Sequence, residues 1–524
     1  MKIDSILIVG GGSAGWMTAS TLIKAFPEKN ISIVEPKSIP RIGVGESTLQ
    51  NIRLWLDYLG IKDSDWMKDC DAVYKLSIKF TDFYEKNYGS FHYPFGQPNV
   101  SDTFDGVNDW FFLKPNDSSI DENDFCRSFW CQMKSIEENK IPNSFESFDF
   151  EKDTAFHFDA LKFADWLKNN YAIPRGVNLI EDEIESIEKL KDGSISYLHL
   201  KSNKKVTADL FIDCTGFKSL LLENGVGSKF ISFEDILPNN RAWAVAVPYL
   251  DKEKEIEVYT NCTAIENGWC WNIPQWSKIG CGYVYSDRHV SPDQALIEFK
   301  SYLNSDKMKL HCPERTEILD LEFRDIKIRT GYSEKIWCKN VVGIGLSAAF
   351  IEPLESNGLL TVHEFLVYLV ETLSNRPKVT SFDIDCFNLK ATTFVKGFME
   401  FVALHYAFSI RDDTDYWKNY TQTYHFLNEN LDNSINLNIL VESLVKSKRF
   451  SFASLEGLCC ISAGFNISPS SKIHTQRNCF STGNDIHLWK SNFKFLEERK
   501  NRWYNINETF PSAFDFYSNV IHGS

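Results

Sequence analysis

Ile6-Leu7-Ile8-Val9-Gly10-Gly11-Gly12-Ser13-Ala14-Gly15-Trp16-Met17-Thr18-Ala19 opens as a continuous apolar, β-branched run, passes through glycines, and continues in residues of helical character. That order predicts strand, tight turn and helix. Gly10 permits the turn, Gly12 lets backbone approach a pyrophosphate, and Gly15 lets the helix lie close on the strand. Ser13 and Ala14 complete a loop whose helix amino terminus faces the phosphates. A lone GxGxxG is a weak signal. Here Glu35 follows the next predicted strand, Ile31-Ser32-Ile33-Val34, at the distance that suits a ribose hydroxyl. The expected fold class is α/β, or α+β where further sheet is added.

Ala208-Asp209-Leu210-Phe211-Ile212-Asp213-Cys214-Thr215-Gly216 and Asn340-Val341-Val342-Gly343-Ile344-Gly345 also read as buried strands ending in glycine turns. Three such turns spread over the chain imply a discontinuous domain, with Asp213 and Gly345 as further cofactor-side residues. The arrangement resembles the FAD-binding, Rossmann-like fold of the aromatic hydroxylases and halogenases. No second GxGxxG follows a strand, so no dedicated NAD(P)H site is expected. Reduced FAD would then come from a separate flavin reductase.

Composition narrows the partners. A net charge of -15 leaves no basic stripe for nucleic acid or an anionic membrane, and no apolar stretch reaches the length of a membrane span. Aromatic residues at 14% suit planar small-molecule ligands. Thirteen cysteines are scattered without Cys-x-x-Cys or His/Cys spacing, which reads as reduced thiols in a cytoplasmic protein and no metal site. Oligomeric state is left open, a homo-oligomer included.

Gly268-Trp269-Cys270-Trp271-Asn272-Ile273-Pro274 places two indoles two residues apart. On an extended backbone they share a face and form a wall. Such a pair is ordinarily a half-buried strand feature. Beside the glycine turn, however, the Trp-x-Trp-x-Ile-Pro pattern resembles the signature of the flavin-dependent tryptophan halogenases. The resemblance implies a barrier of Trp269, Trp271, Ile273 and Pro274 that keeps organic substrate from the flavin.

The same resemblance reaches most of the chain up to about Tyr420. Arg41-Ile42-Gly43-Val44-Gly45-Glu46-Ser47-Thr48 is similar to the segment that straps over the flavin, which makes Gly45, Glu46 and Ser47 cofactor residues. Tyr74-Lys75-Leu76-Ser77-Ile78-Lys79-Phe80 is similar to the stretch bearing the essential lysine, and the match selects Lys75, not Lys79. An isolated lysine is usually a solvated surface charge. A buried ammonium could instead hold hypohalous acid by a hydrogen bond, or as a haloamine, and aim it.

Phe350-Ile351-Glu352-Pro353-Leu354-Glu355-Ser356-Asn357-Gly358 is similar to the second catalytic stretch. By that match Glu355 orients the oxidant or takes the ring proton, while the backbone amides of Asn357 and Gly358 face halide. The likeness continues through His405-Tyr406-Ala407-Phe408-Ser409-Ile410-Arg411-Asp412-Asp413. Two departures stand out. Asn357 occupies a position where the family usually has Thr, and Tyr93-Pro94-Phe95-Gly96 replaces His-Ser-Phe-Gly, with Phe95 still able to stack on an aromatic. Gln97 to Asp124 reads as a surface loop, and Val441 to Phe452 offers no counterpart to the family's grip on free tryptophan.

The expected organisation is a discontinuous FAD-binding module over 1–374, with interleaved segments at about 81–150 and 225–335 forming an antiparallel substrate sheet. A mainly helical capping region over 375–524 completes it. The implied function is a halogenase that uses FADH2 and O2 to oxidise chloride, bromide or iodide to hypohalous acid. The acid passes to Lys75 and halogenates an indole or phenol beside Glu355. The alternatives are a flavin-dependent aromatic hydroxylase, which the Trp269/Trp271 wall would obstruct, and a catalytically silent flavin-binding protein.

Overall fold

The apolar amino-terminal run forms strand β1 (Ser5–Val9), and the glycine turn leads into helix α1 (Ser13–Ala25) and then strand β2 (Asn30–Glu35). The computed structural model describes residues 1–37, 45–99, 110–111, 114, 120–121, 123–427, 437, 440–441, 443–444, 455–467 and 485–523. Arg41 to Val44, and much of Gln97 to Asp124 and Val441 to Phe452, lie outside the described residues. The chain divides into two compact units. One comprises 1–72, 157–242 and 325–399; the other comprises 73–156, 243–324 and 400–524. The carboxyl-terminal third is thus shared between the units from residue 400, where the sequence suggested one capping region from 375.

In the first unit a six-stranded sheet runs in the order Trp337–Cys338, Val341–Gly343, Leu210–Asp213, β1, β2, Asn178–Glu181. Five of these strands are parallel and the Trp337–Cys338 edge is antiparallel. Parallel strands covered on both faces read as unbroken apolar runs, and β1 does so. Leu7 and Val9 pack with Phe211, Ile195, Leu198 and Leu200. A Cβ on Gly15 would come within 1.8 Å of the Gly10 carbonyl oxygen and 3.5 Å of Ile33 Cδ1, so only glycine lets the turn fold this tightly onto β2. All three strand-to-glycine turns expected from the sequence belong to this sheet.

In the second unit, six strands of a seven-stranded sheet lie in the order Arg241–Pro248, Lys278–Tyr285, Gly268–Pro274, Tyr259–Ile265, Ser77–Thr81, Ser90–Pro94. Gly268–Pro274 is antiparallel to both neighbours. The expectation of an antiparallel sheet needs one correction: Tyr259–Ile265 runs parallel to Ser77–Thr81. The two strands come from widely separated segments, so no hairpin dictates their direction. Cys270 points to a core of Val245, Val247, Ile279, Cys281, Tyr283 and Phe299. Alternation sends Trp269 and Trp271 to the opposite face.

Among the described residues no helix is long and apolar enough to cross a membrane, and no group of His, Cys, Asp or Glu could hold a metal ion.

Candidate functional site

Gly10 adopts φ +114°, and a Cβ there would sit 2.3 Å from the Cys214 carbonyl oxygen, because the turn after β1 lies against the turn after Leu210–Asp213. Around Gly12, by contrast, a Cβ would meet nothing within 4 Å among the described residues. The turn is therefore closed on the protein side and open where α1 presents its first backbone N–H groups. That is the shape a pyrophosphate needs, so the residues present fit a dinucleotide cofactor. Ser13 donates to the Ala160 carbonyl at 3.1 Å, and Ala14 lies under Gly345, whose Cβ would come within 2.9 Å of it. Gly345 has φ +74°. The third turn thus closes on the first.

Glu35 is 4% exposed, and its carboxylate lies beside Gly11, where a Cβ would come within 1.8 Å of Oε2. Trp16 Nε1 donates to Oε2 at 3.1 Å, and Lys168 Nζ forms an ion pair with Oε1 while standing over the Trp16 ring. Sequence reasoning did not find this lysine, since nothing near Lys168 marks it as a partner 133 positions away. Asp213 is turned inward. Its carboxylate accepts from Thr215 N and Oγ1 at 2.9 and 2.6 Å, and from the amides of Leu221 and Leu222 at 2.6 and 2.8 Å. Four donors thus hold the Asp213 carboxylate to its own turn.

The segment expected to face halide belongs to this unit as well. Glu355 ends a short 3-10 turn, Pro353–Glu355, and is 1% exposed. Its neighbour Glu352 is fully buried and accepts from Asn239 Nδ2 at 2.7 Å. Ser356 has φ +54° and its Oγ lies 3.0 Å from Ser47 Oγ, which ties this segment to the strand Gly45–Ser47. Glu46 Oε1 stands 3.4 Å from where a Cβ on Gly358 would be. Asn357 then occupies the position before the helix Gly358–Asn375 without a side-chain capping bond, leaving the helix amino terminus at the end of the segment.

The second unit holds the other candidates. Lys75, on the short strand Val73–Lys75, has no exposed surface, and its Nζ lies 5.0 Å above the Phe95 ring. Phe95 is placed by its own amide, which donates to the Leu76 carbonyl at 2.9 Å. The ring face offers the ammonium a cation–π contact in a dry setting. Tyr93 packs with its hydroxyl against Gly457, and Pro94 pairs with Ser77. Trp269 and Trp271 stand 6.2 Å apart between ring centres at 58°, and Gly282 leaves the space that Trp271 fills, since a Cβ there would lie 2.1 Å from its ring. Ile273 and Pro274 continue the strand, buried.

Lys79, which the match passed over, sits differently. It lies 5.5 Å above the Tyr259 ring, and burial pushes its ammonium below the ordinary lysine value, opposed by the charge of Glu257. Tyr259 donates to Glu257 at 2.6 Å, and Ser77 Oγ lies 2.9 Å from His92 Nδ1. Burial keeps His92 far below its usual value, so its ring is neutral.

The tryptophan halogenase family profile matches residues 5–479. Tryptophan 6-halogenase SttH of Streptomyces toxytricini is 34% identical over 437 residues, which cover 79% of this chain and 80% of that protein. Its crystal structure superposes with a TM-score of 0.83, covering 98% of this chain and 99% of that one at 29% identity. The apo structure of VirX1 superposes with a TM-score of 0.88 at 36% identity over the whole of both chains. Tar14, a tryptophan C-6 flavin-dependent halogenase from taromycin biosynthesis, gives 0.82 at 29% identity, covering 98% and 99%.

Proposed function

The chain belongs to the tryptophan halogenase family and is a flavin-dependent enzyme that halogenates an aromatic substrate, and from that premise we propose how its residues divide the work. Bound in reduced form, FAD supplies, with O2 and a proton, the two-electron oxidation of halide to hypohalous acid, leaving FAD and water. The Gly10 to Gly15 turn would hold the pyrophosphate and Glu35 the ribose. Gly45 to Ser47 would lie along the flavin, and a separate reductase would deliver it reduced.

Lys75 carries the oxidant in this reading. The single observation behind it is that the ammonium is fully buried over Phe95, when a lysine without a task would reach water. In a dry setting an ammonium holds hypohalous acid by a hydrogen bond far better than water does, and so aims an otherwise indiscriminate electrophile. Glu355, also buried, takes the proton that the ring loses after attack. Trp269 and Trp271 supply the rigid surface that separates aromatic substrate from flavin.

The substrate class we propose is an electron-rich indole or phenol, with free tryptophan holding no special place. Phe95 offers a stacking face, and stacking alone discriminates weakly among flat rings. The test is mass spectrometry of products from a panel of indoles, phenols and free tryptophan. Each is incubated with a generic flavin reductase and with chloride, bromide or iodide in turn. Halogen-shifted masses from several ring types are expected. Hydroxylated products would overturn the reaction class, and turnover of free tryptophan far above all others would overturn the substrate class.

A further inference from the structure

We propose that the side-chain amide of Asn357 is itself a ligand for halide and for the hypohalous acid formed from it. This deepens the reading of the segment Glu355 to Gly358 as the halide site and rests on it. Asn357 is 1% exposed, yet neither Nδ2 nor Oδ1 has a hydrogen-bond partner among the described residues. A buried carboxamide with both ends unspent is rare, because each desolvated polar atom costs free energy until something meets it.

The position makes the vacancy informative. Asn at a helix N-cap ordinarily turns its side-chain oxygen back onto the first-turn amides. Here the cap makes no such bond, so the amides at the start of Gly358–Asn375 and the side chain are both left for something else. The backbone is nevertheless held. The Asn357 carbonyl accepts from Thr361 N and Thr361 Oγ1, each at 3.0 Å, and Ser356 before it is fixed to Ser47.

The two ends of the amide call for two kinds of partner. Nδ2 needs an acceptor without a bulky body, and a halide at a helix amino terminus is one, favoured by the helix dipole. Glu46, beside Gly358, repels an anion on that flank, which raises the value of an additional N–H donor. Oδ1 needs an O–H donor. Water accompanying the halide provides one, and hypohalous acid provides one after oxygen transfer. The same amide therefore serves both species in turn.

The test uses the FAD-loaded enzyme with Asn357→Leu, which keeps the branching and removes both polar atoms, Asn357→Asp, which replaces the donor by an acceptor and adds a negative charge, and Asn357→Thr, which restores a hydroxyl. Bromide and iodide are titrated against the oxidised flavin absorption spectrum, and halide KM is measured separately from aromatic KM. Asn357→Leu should raise halide KM and the halide dissociation constant about tenfold to a hundredfold, the loss expected for one hydrogen bond to a charged partner, and Asn357→Asp, whose carboxylate also repels the anion, by at least as much. FAD affinity and aromatic KM should stay put, and Asn357→Thr should fall between Leu and wild type. A halide response within twofold of wild type in Asn357→Leu overturns the proposal. If that variant fails to fold, the same result in Asn357→Asp overturns it. A wild-type enzyme that neither binds nor incorporates halide would instead overturn the underlying reading of the segment.

Discussion

The glycine-turn unit and the tryptophan-sheet unit place their chemistry in different parts of the chain. In the first, the proposed groups are largely backbone, the amides at the start of α1 and those at the start of Gly358–Asn375, joined by the buried side chains of Glu355 and Asn357. Other side chains there act as struts, with Asp213 holding its turn by four donors and Trp16 and Lys168 bracing Glu35. In the second, the backbone is plain sheet and the distinguishing features are buried side chains: Lys75 over Phe95, and the paired indoles of Trp269 and Trp271. Where backbone amides do the work, a site tolerates no change of conformation but many changes of the side chains that do not reach it. A site built from side chains behaves the other way.

The largest effect should come from Lys75→Met. The thioether fills similar volume without charge, so halogenation should fall by at least about 10²- to 10³-fold, the scale of losing one well-placed electrostatic group. FAD affinity should not move. Near-normal halogenated product from the purified variant would break the comparison at its chemical end.

Gly10→Ala probes the other unit. Its φ of +114° strains any L side chain, and the new methyl would meet the Cys214 carbonyl at 2.3 Å. A destabilisation of roughly 2–4 kcal/mol with loss of retained FAD is expected. Thermal unfolding and the flavin content of the purified protein read it directly. A variant as stable as wild type and fully loaded would show that the turn is less constrained than its geometry implies.

Lys168→Met sharpens the distinction between a strut and a ligand. If Lys168 only braces Glu35, FAD should bind about tenfold more weakly, the scale of one charge-assisted contact, while FMN, which lacks the adenosine ribose, should bind as before. Fluorescence titration with both flavins tests this. An equal loss for FMN would move Lys168 from positioning the carboxylate to holding the flavin end.

The same contrast explains what the sequence could disclose. The glycines were legible because a residue with no side chain at Gly10 and Gly15 has a backbone reason, and strand-turn-helix order supplied the context. The three strand-to-glycine turns did assemble in one sheet. Lys75 was legible only by likeness to a family, since no local pattern distinguishes it from Lys79 two turns of alternation away. Lys168, Asn239 and the inward turn of Asp213 were not legible at all. Their partners lie far along the chain or are backbone amides, and pairwise geometry of that kind leaves no mark in composition or periodicity. The parallel pairing of Tyr259–Ile265 with Ser77–Thr81 was missed for the same reason.

The smallest expected effect concerns which halide is used. Larger halides shed water at lower cost and are oxidised more readily, so a site that relies on a reaching amide penalises bromide and iodide less than chloride. With chloride, bromide and iodide equimolar, brominated and iodinated products should at least match the chlorinated one. Asn357→Thr, with its shorter side chain, should shift the ratio a few-fold towards chloride, within the span of one neutral hydrogen bond. Phe95→Leu, in the other unit, should alter which aromatics are taken and leave that ratio alone. If Phe95→Leu moved the halide ratio as far as Asn357→Thr, halide choice would not belong to the glycine-turn unit, and the division of labour drawn between the two units would fail.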